Sequence, residues 1–187
     1  MEKVRQIMGE LGLSDTDCAA VCARFKRREY AKNDFLVRPE QLVTSLFFIE
    51  KGSVILGNCL NDRSVTRHLA KENEFITILS GFVNQTATAE FLKATEPTQV
   101  YALSKPDFDA VLVRFPILEQ FYHRFIFETL EKCQQRIRDL ISLDARAYYE
   151  EILRTNPDYF QKMPQYDLAS YMGIEPQSLS RLRKAKR

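Results

Sequence analysis

No stretch of this sequence approaches the roughly 20 consecutive apolar residues that a membrane-spanning helix needs, so no membrane partner is expected. The opening residues, MEKVRQIMGELG, are charged throughout and lack the apolar segment of a secretory signal. A cytoplasmic protein is the expectation. Histidine is scarce: His68 and His123 stand alone, and neither is given a catalytic role. Cysteine is limited to Cys18, Cys22, Cys59 and Cys133, with no Cys-x-x-Cys pair and no histidine cluster to hold zinc or an iron–sulfur group. Cys18 and Cys22 share one helix face at i, i+4 spacing, and the thiols read as reduced and mostly buried. There is no Gly-rich phosphate loop and no nucleophile–base pair, so neither an enzyme nor a cofactor is expected. Strong charge of one sign is missing too. The net charge is +2, and the chain as a whole is not a polyanion binder.

What is present is material for a core: 45% hydrophobic and 11% aromatic residues over 187 positions, enough for one large or two small domains and no case for disorder. Met1 to Leu11 carries Val4, Ile7, Met8 and Leu11 at helical spacing, and Gly12 ends that helix. Ser14 is a good N-cap for a second helix, Asp15 to Arg24. From Lys26 to Leu103 the pattern changes to short β-type runs: Phe35–Val37, Leu46–Ile49, Val54–Leu56, Val65–Leu69, Phe75–Leu79, Ala87–Leu92 and Gln99–Leu103. Asn33-Asp34 reads as a hairpin signal, and Leu46–Ile49 is apolar enough to be buried on both faces. Many short strands at this spacing predict a sandwich or barrel.

Helical pattern resumes at Ser104, with Phe108, Val111 and Leu112 as an inner face. Pro116 then opens a helix that runs to Ser142 without internal Gly or Pro. Ile126, Leu130, Cys133, Ile137 and Leu140 follow 4-3-4-3 spacing, the seam of a coiled coil. At 1.5 Å per residue it is roughly 40 Å long. It overshoots a small barrel, and pairing with a second copy is expected. Asp144 caps a further helix that breaks before Asn156-Pro157.

The last stretch, MPQYDLASYMGIEPQSLSRLRKAKR, organises the rest. Leu168, Ala169 and Met172 form one apolar helical face, and Gly173 supplies the positive φ of a helix C-cap. Pro176 suits the first turn of a second helix, whose inner face is Leu179 and Leu182. This spacing is that of a helix-turn-helix. Outward lie Gln177, Ser178, Ser180, Arg181 and Lys184, and from Gln177 onward Arg181, Arg183, Lys184, Lys186 and Arg187 face no acid. A helix so charged is built to meet double-stranded DNA. Arg181 can bind guanine O6 and N7, and Gln177 can do the same for adenine. Arg183, Lys184, Lys186 and Arg187 suit phosphates. Only Asp158–Lys162 separates Pro157 from the motif, so no β-hairpin wing is expected, and modest DNA affinity follows.

Barrel, long helix and helix-turn-helix in this order resemble the CRP/FNR family of bacterial transcription regulators. The residues carrying the likeness are Leu46 to Val54, then Ala102 to Lys105 with Phe108 and Leu112, then Ala169, Gly173, Leu179, Ser180 and Arg181. The resemblance implies an α+β fold in three parts: N-terminal helices and a cyclic-nucleotide-binding-like jelly roll (1–115), a dimerisation helix (116–142) and a DNA-binding domain (143–187). It implies a homodimeric regulator with RNA polymerase as a further partner, and a small-molecule effector of unknown identity. Family members often carry Glu where Gln177 stands, which implies a different preferred operator.

The resemblance places the effector pocket at Phe75, Ile76 and Thr77 with Thr86, Ala87 and Thr88. Cyclic-nucleotide binders in the family hold a Gly-Glu pair and an Arg there, and this chain has neither. No Arg or Lys occurs between Glu72 and Leu92. A cyclic phosphate would lose a charge-assisted pair worth a few kcal/mol, so tight cyclic AMP binding is not expected. Cys18 and Cys22 are too few for the family's oxygen-sensing cluster. The alternative to a regulator is a ligand-sensing or protein-interaction module that keeps the barrel and does not act on DNA.

Overall fold

The computed structural model describes residues 1–60 and 63–185. Lys186 and Arg187, expected to meet phosphates, lie outside the described residues. Helix α1 (Glu2–Glu10) ends before Gly12, which adopts φ 94°. Helix α2 (Asp15–Cys22) starts where the Ser14 hydroxyl accepts the Asp17 N–H at 3.2 Å. Val4, Met8, Cys18 and Val21 press both helices onto the β-domain core.

That domain is two four-stranded antiparallel sheets. One has the order β1 (Lys26–Tyr30), β8 (Thr98–Ser104), β3 (Ser45–Lys51), β6 (Phe75–Ile76). The other has the order β2 (Phe35–Val37), β7 (Glu90–Ala94), β4 (Ser53–Leu60), β5 (Arg63–Lys71). β3 is buried on both faces from Ser45 to Ile49, as its apolar run predicts. Gly52 turns β3 into β4 at φ 93°, where an added Cβ would lie 2.6 Å from the Thr98 hydroxyl oxygen.

Three expectations are corrected here. Asn33 does take a positive φ of 73°, but β1 pairs with β8 and β2 with β7. The turn is therefore a corner between sheets, not a hairpin. The run Phe75–Leu79 stops being strand after Ile76, and Leu79 opens helix α3 (Leu79–Asn84). A Cβ on Gly81 would meet Val43 Cγ2 at 2.4 Å, so α3 can lie this close only with glycine there. The thiols divide evenly: Cys18 is buried and Cys22 half-buried, but Cys59 and Cys133 are exposed, because β4 and the long helix over Leu118–Ser142 turn them to solvent.

Helix α4 (Lys105–Arg114) is capped by Ser104 and buries Phe108 and Val111. Helix α5 (Leu118–Ser142) follows, then α6 (Ala145–Thr155), with the Asp144 carboxylate accepting from the Arg146 and Ala147 N–H groups, and α7 (Tyr159–Lys162). Helices α8 (Gln165–Tyr171) and α9 (Pro176–Ala185) follow.

The second sheet is buried on both faces, which organises the whole molecule. Strand side chains alternate: Val54, Ala70 and Leu92 enter the jelly-roll core, while Ile55, Leu69 and Phe91 enter a second core with Tyr148, Ile152, Leu168 and Ala169. Each of those three outward side chains is at most 2% exposed. Burying a large apolar side chain contributes about 1.5–3 kcal/mol, so the C-terminal helices are firmly seated on the sheet.

Candidate nucleic-acid interface

The turn between α8 and α9 is built by backbone hydrogen bonds around one glycine. Gly173 has φ 69°, its N–H donates to Ser170 O at 3.1 Å, and the Ile174 N–H donates to Ala169 O at 3.0 Å. Those two bonds close a Schellman motif and satisfy the last carbonyls of α8. Leu168, Ala169 and Leu179 are fully buried and Met172 nearly so, which fixes α9 against α8. The Gln165 side-chain amide donates to Pro176 O at 3.4 Å and ties the two helix starts together. The Ala, Gly and Leu spacing expected of a helix-turn-helix thus forms one.

On α9, Gln177, Arg181 and Lys184 are exposed, and Ser178 and Ser180 are half-buried. Among the described residues, none of the Gln177, Arg181 and Lys184 side chains makes a hydrogen bond or ion pair with the chain. Their donors are open to a ligand. Arg183, expected to suit phosphate, is half-buried and has partners within the chain. Its guanidinium carbon sits 5.6 Å from the Phe160 ring centroid and its Nη2 donates to Phe160 O at 3.4 Å. The cation–π and carbonyl contacts turn it inward, because Arg183 is one residue past Leu182 on the side facing α7.

Helix α5 has an inner and an outer face. Inward, Phe121 packs on Phe75 with ring centroids 4.9 Å apart, and Tyr122 packs on Phe108 at 5.2 Å. Outward, Phe127, Leu130, Ile137 and Ile141 are exposed, Phe127 by 68% and Ile141 by 80%. Of the expected seam, Leu130, Cys133 and Ile137 lie on this open face, Ile126 is half-buried, and Leu140 leans toward Gly173.

The six residues of the expected effector site do not gather around one cavity. Thr77 is buried, its hydroxyl donating to Ser45 O at 2.9 Å, and Ile76 is in the core. Thr86 and Ala87 are exposed on the strand-edge loop, and Thr88 is half-buried, its Oγ1 accepting the Glu90 N–H. Phe75 alone of the six borders a cleft of about 150 Å³ between the barrel and α5. That cleft is lined also by His68, Glu74, Phe121, Arg124 and Lys132, residues that the sequence pattern did not single out. Lys132 Nζ reaches Glu74 Oε1 at 3.3 Å, and the Arg124 Nε lies 3.8 Å from Glu128. Burial, with Lys132 and Arg136 nearby, pushes the His68 imidazole down to about 4, against a smaller opposing pull from Glu74. Among the described residues no cluster of His, Cys, Asp or Glu could hold a metal ion, and no helix is long and apolar enough to cross a membrane.

Comparison with known proteins follows this architecture. Residues 27–115 match the cyclic nucleotide-binding domain family. The chain is 20% identical over 168 residues to the anaerobic regulatory protein of Bacillus subtilis (strain 168), covering 83% of this chain and 71% of that protein. A solved CooA mutant from Carboxydothermus hydrogenoformans is similar at a TM-score of 0.70 and 19% identity, over 89% of this chain and 78% of the other. FixK2 from Bradyrhizobium japonicum is similar at 0.72 and 14%, over 86% and 83%. At these identities the solved structures establish the fold: an antiparallel β-domain, a long helix and C-terminal helices, in the CRP/FNR arrangement that the sequence resembles. The Bacillus subtilis relative is by name a regulatory protein.

Proposed function

We propose that this chain, a cyclic-nucleotide-binding-type jelly roll with a helix-turn-helix seated on it, is a DNA-binding transcription regulator that acts as a homodimer. The observation that carries this reading is α9, whose buried Leu179 anchors it while Gln177, Arg181 and Lys184 stand exposed and unengaged on the other side. Gln177, Ser178, Ser180 and Arg181 are assigned to base edges and Lys184 to phosphate, with Arg183 as a secondary contact. Three functional parts are assigned: an effector domain (1–115), a dimer helix (116–142) and a DNA-reading domain (143–187). The open apolar face of α5 supports pairing with a second copy, since Leu130 and Ile137 are half exposed. Two copies then present two recognition helices about one DNA turn, roughly 34 Å, apart on a near-palindromic site. RNA polymerase is proposed as a further partner.

The regulator does not take cyclic AMP. The Thr86–Thr88 segment offers no cation for a cyclic phosphate, and Arg67, the nearest arginine in sequence, is paired with Glu90. Selection of bound duplexes from a random pool tests the reading. An enriched two-fold-symmetric site, bound less tightly as salt rises, supports it; no enrichment at low salt overturns it. Calorimetry with cyclic AMP is expected to give no micromolar binding.

A further inference from the structure

We infer that Arg136 is a positioning residue: one guanidinium on α5 pins the first helix of the DNA-reading pair to the edge strand β5, so the chain itself sets the reading helix's orientation. This inference rests on the DNA reading proposed above.

Strand β5 ends its sheet, so its outer edge has backbone groups without a strand partner. At Thr66 that edge is taken up by the C-terminal helices instead. The Thr66 N–H donates to Ser170 Oγ at 3.0 Å, and the same hydroxyl donates to Ser64 O at 3.3 Å. The Thr66 hydroxyl donates to Asp167 Oδ1 at 3.2 Å, and Lys93 Nζ lies 4.0 Å from Asp167 Oδ2. Thr66 is fully buried and Asp167 is 4% exposed, so these are interior contacts. Ser170 and Asp167 both belong to α8.

Arg136 closes the junction from the third side. Its Nη2 donates to Tyr171 O at 2.9 Å and to Thr66 O at 3.4 Å, and its guanidinium carbon lies 4.8 Å from the Tyr171 ring centroid. Tyr171 is the last residue of α8, where carbonyls are unpaired and the helix dipole is negative. A cation is favoured there, and arginine's planar fork can bond and stack together. Shaft, sheet and reading head thus meet at one side chain. The ion pairs Lys71–Asp158 at 2.6 Å and Lys162–Glu96 at 3.5 Å, with Ile55, Leu69 and Phe91 beneath, extend the same seat. While seated, α9 keeps Gln177 and Arg181 exposed, so the contact positions the reading face without covering it.

The test uses the full chain in two arms. In amide exchange without DNA, the Thr66 N–H is expected to be protected in the wild type and to exchange quickly in Ser170→Ala. A freely exchanging wild-type Thr66 overturns the seat, whether or not the chain binds DNA. In gel shifts on the selected site, the half-sites are moved apart one base pair at a time. The wild type is expected to prefer one spacing by about tenfold or more, and Arg136→Lys to flatten that preference while selecting the same bases, since geometry and base readout are separate. Asp167→Asn is the second variant, milder on folding, and is expected to flatten it too. Unchanged spacing preference in both variants overturns the inference, and so does tighter DNA binding by Arg136→Lys, which would make the seat a lock. A wild type that binds no duplex while Thr66 stays protected overturns the DNA reading itself, and the role of Arg136 with it.

Discussion

The Leu140 side chain of α5 lies 3.3 Å from where a Cβ would stand on Gly173, in the turn of the helix-turn-helix. The long helix therefore touches the reading head at its tightest corner. Gly173 answers two demands at once: a φ of 69° that L-residues rarely adopt, and close approach of Leu140.

Gly173→Ala is expected to cost about 1–2 kcal/mol of stability, from the left-handed backbone and the displaced Leu140. Denaturant unfolding of both proteins measures it. A loss near zero would mean that the turn relaxes freely.

Arg181→Ala is expected to lose about 1–3 kcal/mol of discrimination at one base position of the half-site, the usual worth of a bidentate guanine contact. Weak nonspecific binding through the remaining cations should survive. A mutant that still selects the operator in a competition gel shift would remove Arg181 from the reading face.

Ile137→Asp, at a 54% exposed position on the outer face of α5, is expected to leave the fold intact and to turn a dimer into monomers. Sedimentation at several concentrations reads this directly. A wild type that sediments as a lone subunit would end the pairing proposal without any mutant.

The His68 imidazole sits in the cleft facing Lys132 and Arg136 of α5 and Glu74 of the β5–β6 turn, and is pushed down to about 4 from an ordinary 6.5. The unfolded chain takes up that proton as pH falls through 6.5, while the folded chain resists until near 4. Stability from this group is therefore full above pH 6.5 and is lost as pH drops toward 4. With allowance for partial exposure, the loss is about 2 kcal/mol. His68→Gln should flatten the wild-type slope between pH 7 and pH 4.5; parallel curves would show that the imidazole protonates freely.

Local signals carried a large part of the architecture into view. Ser14, Ser104 and Asp144 cap helices because a side-chain oxygen beside a helix start needs no distant partner. Gly173, Leu179 and Leu182 mark the turn and the inner face of α9 for the same reason. Misreadings arose where a longer-range contact overrode local preference. Phe75–Leu79 reads as one strand, yet its pairing with β3 stops at Ile76 and Leu79 opens α3, where Gly81 lies against Val43. Asn33 turns as expected, but the sheet to which each flanking strand belongs is decided by β7 and β8, more than 50 residues later. Arg183 reads as one more surface cation until Phe160 is placed beneath it. The cleft around His68 and Lys132 carries no pattern, because its walls come from separated segments.

The amino-acid order alone settled the succession of parts, the caps at Ser14, Ser104 and Asp144 and the turn at Gly173. Each depends on neighbours within a turn or two, where side-chain spacing and backbone preference act directly. Only the folded chain decided that the second sheet has two buried faces and that Thr66 meets Asp167 and Ser170 from 101 and 104 residues away. Strand alternation marks both Val54 and Ile55 as apolar but cannot say what covers the outward one; that depends on which distant surface offers the greater apolar burial.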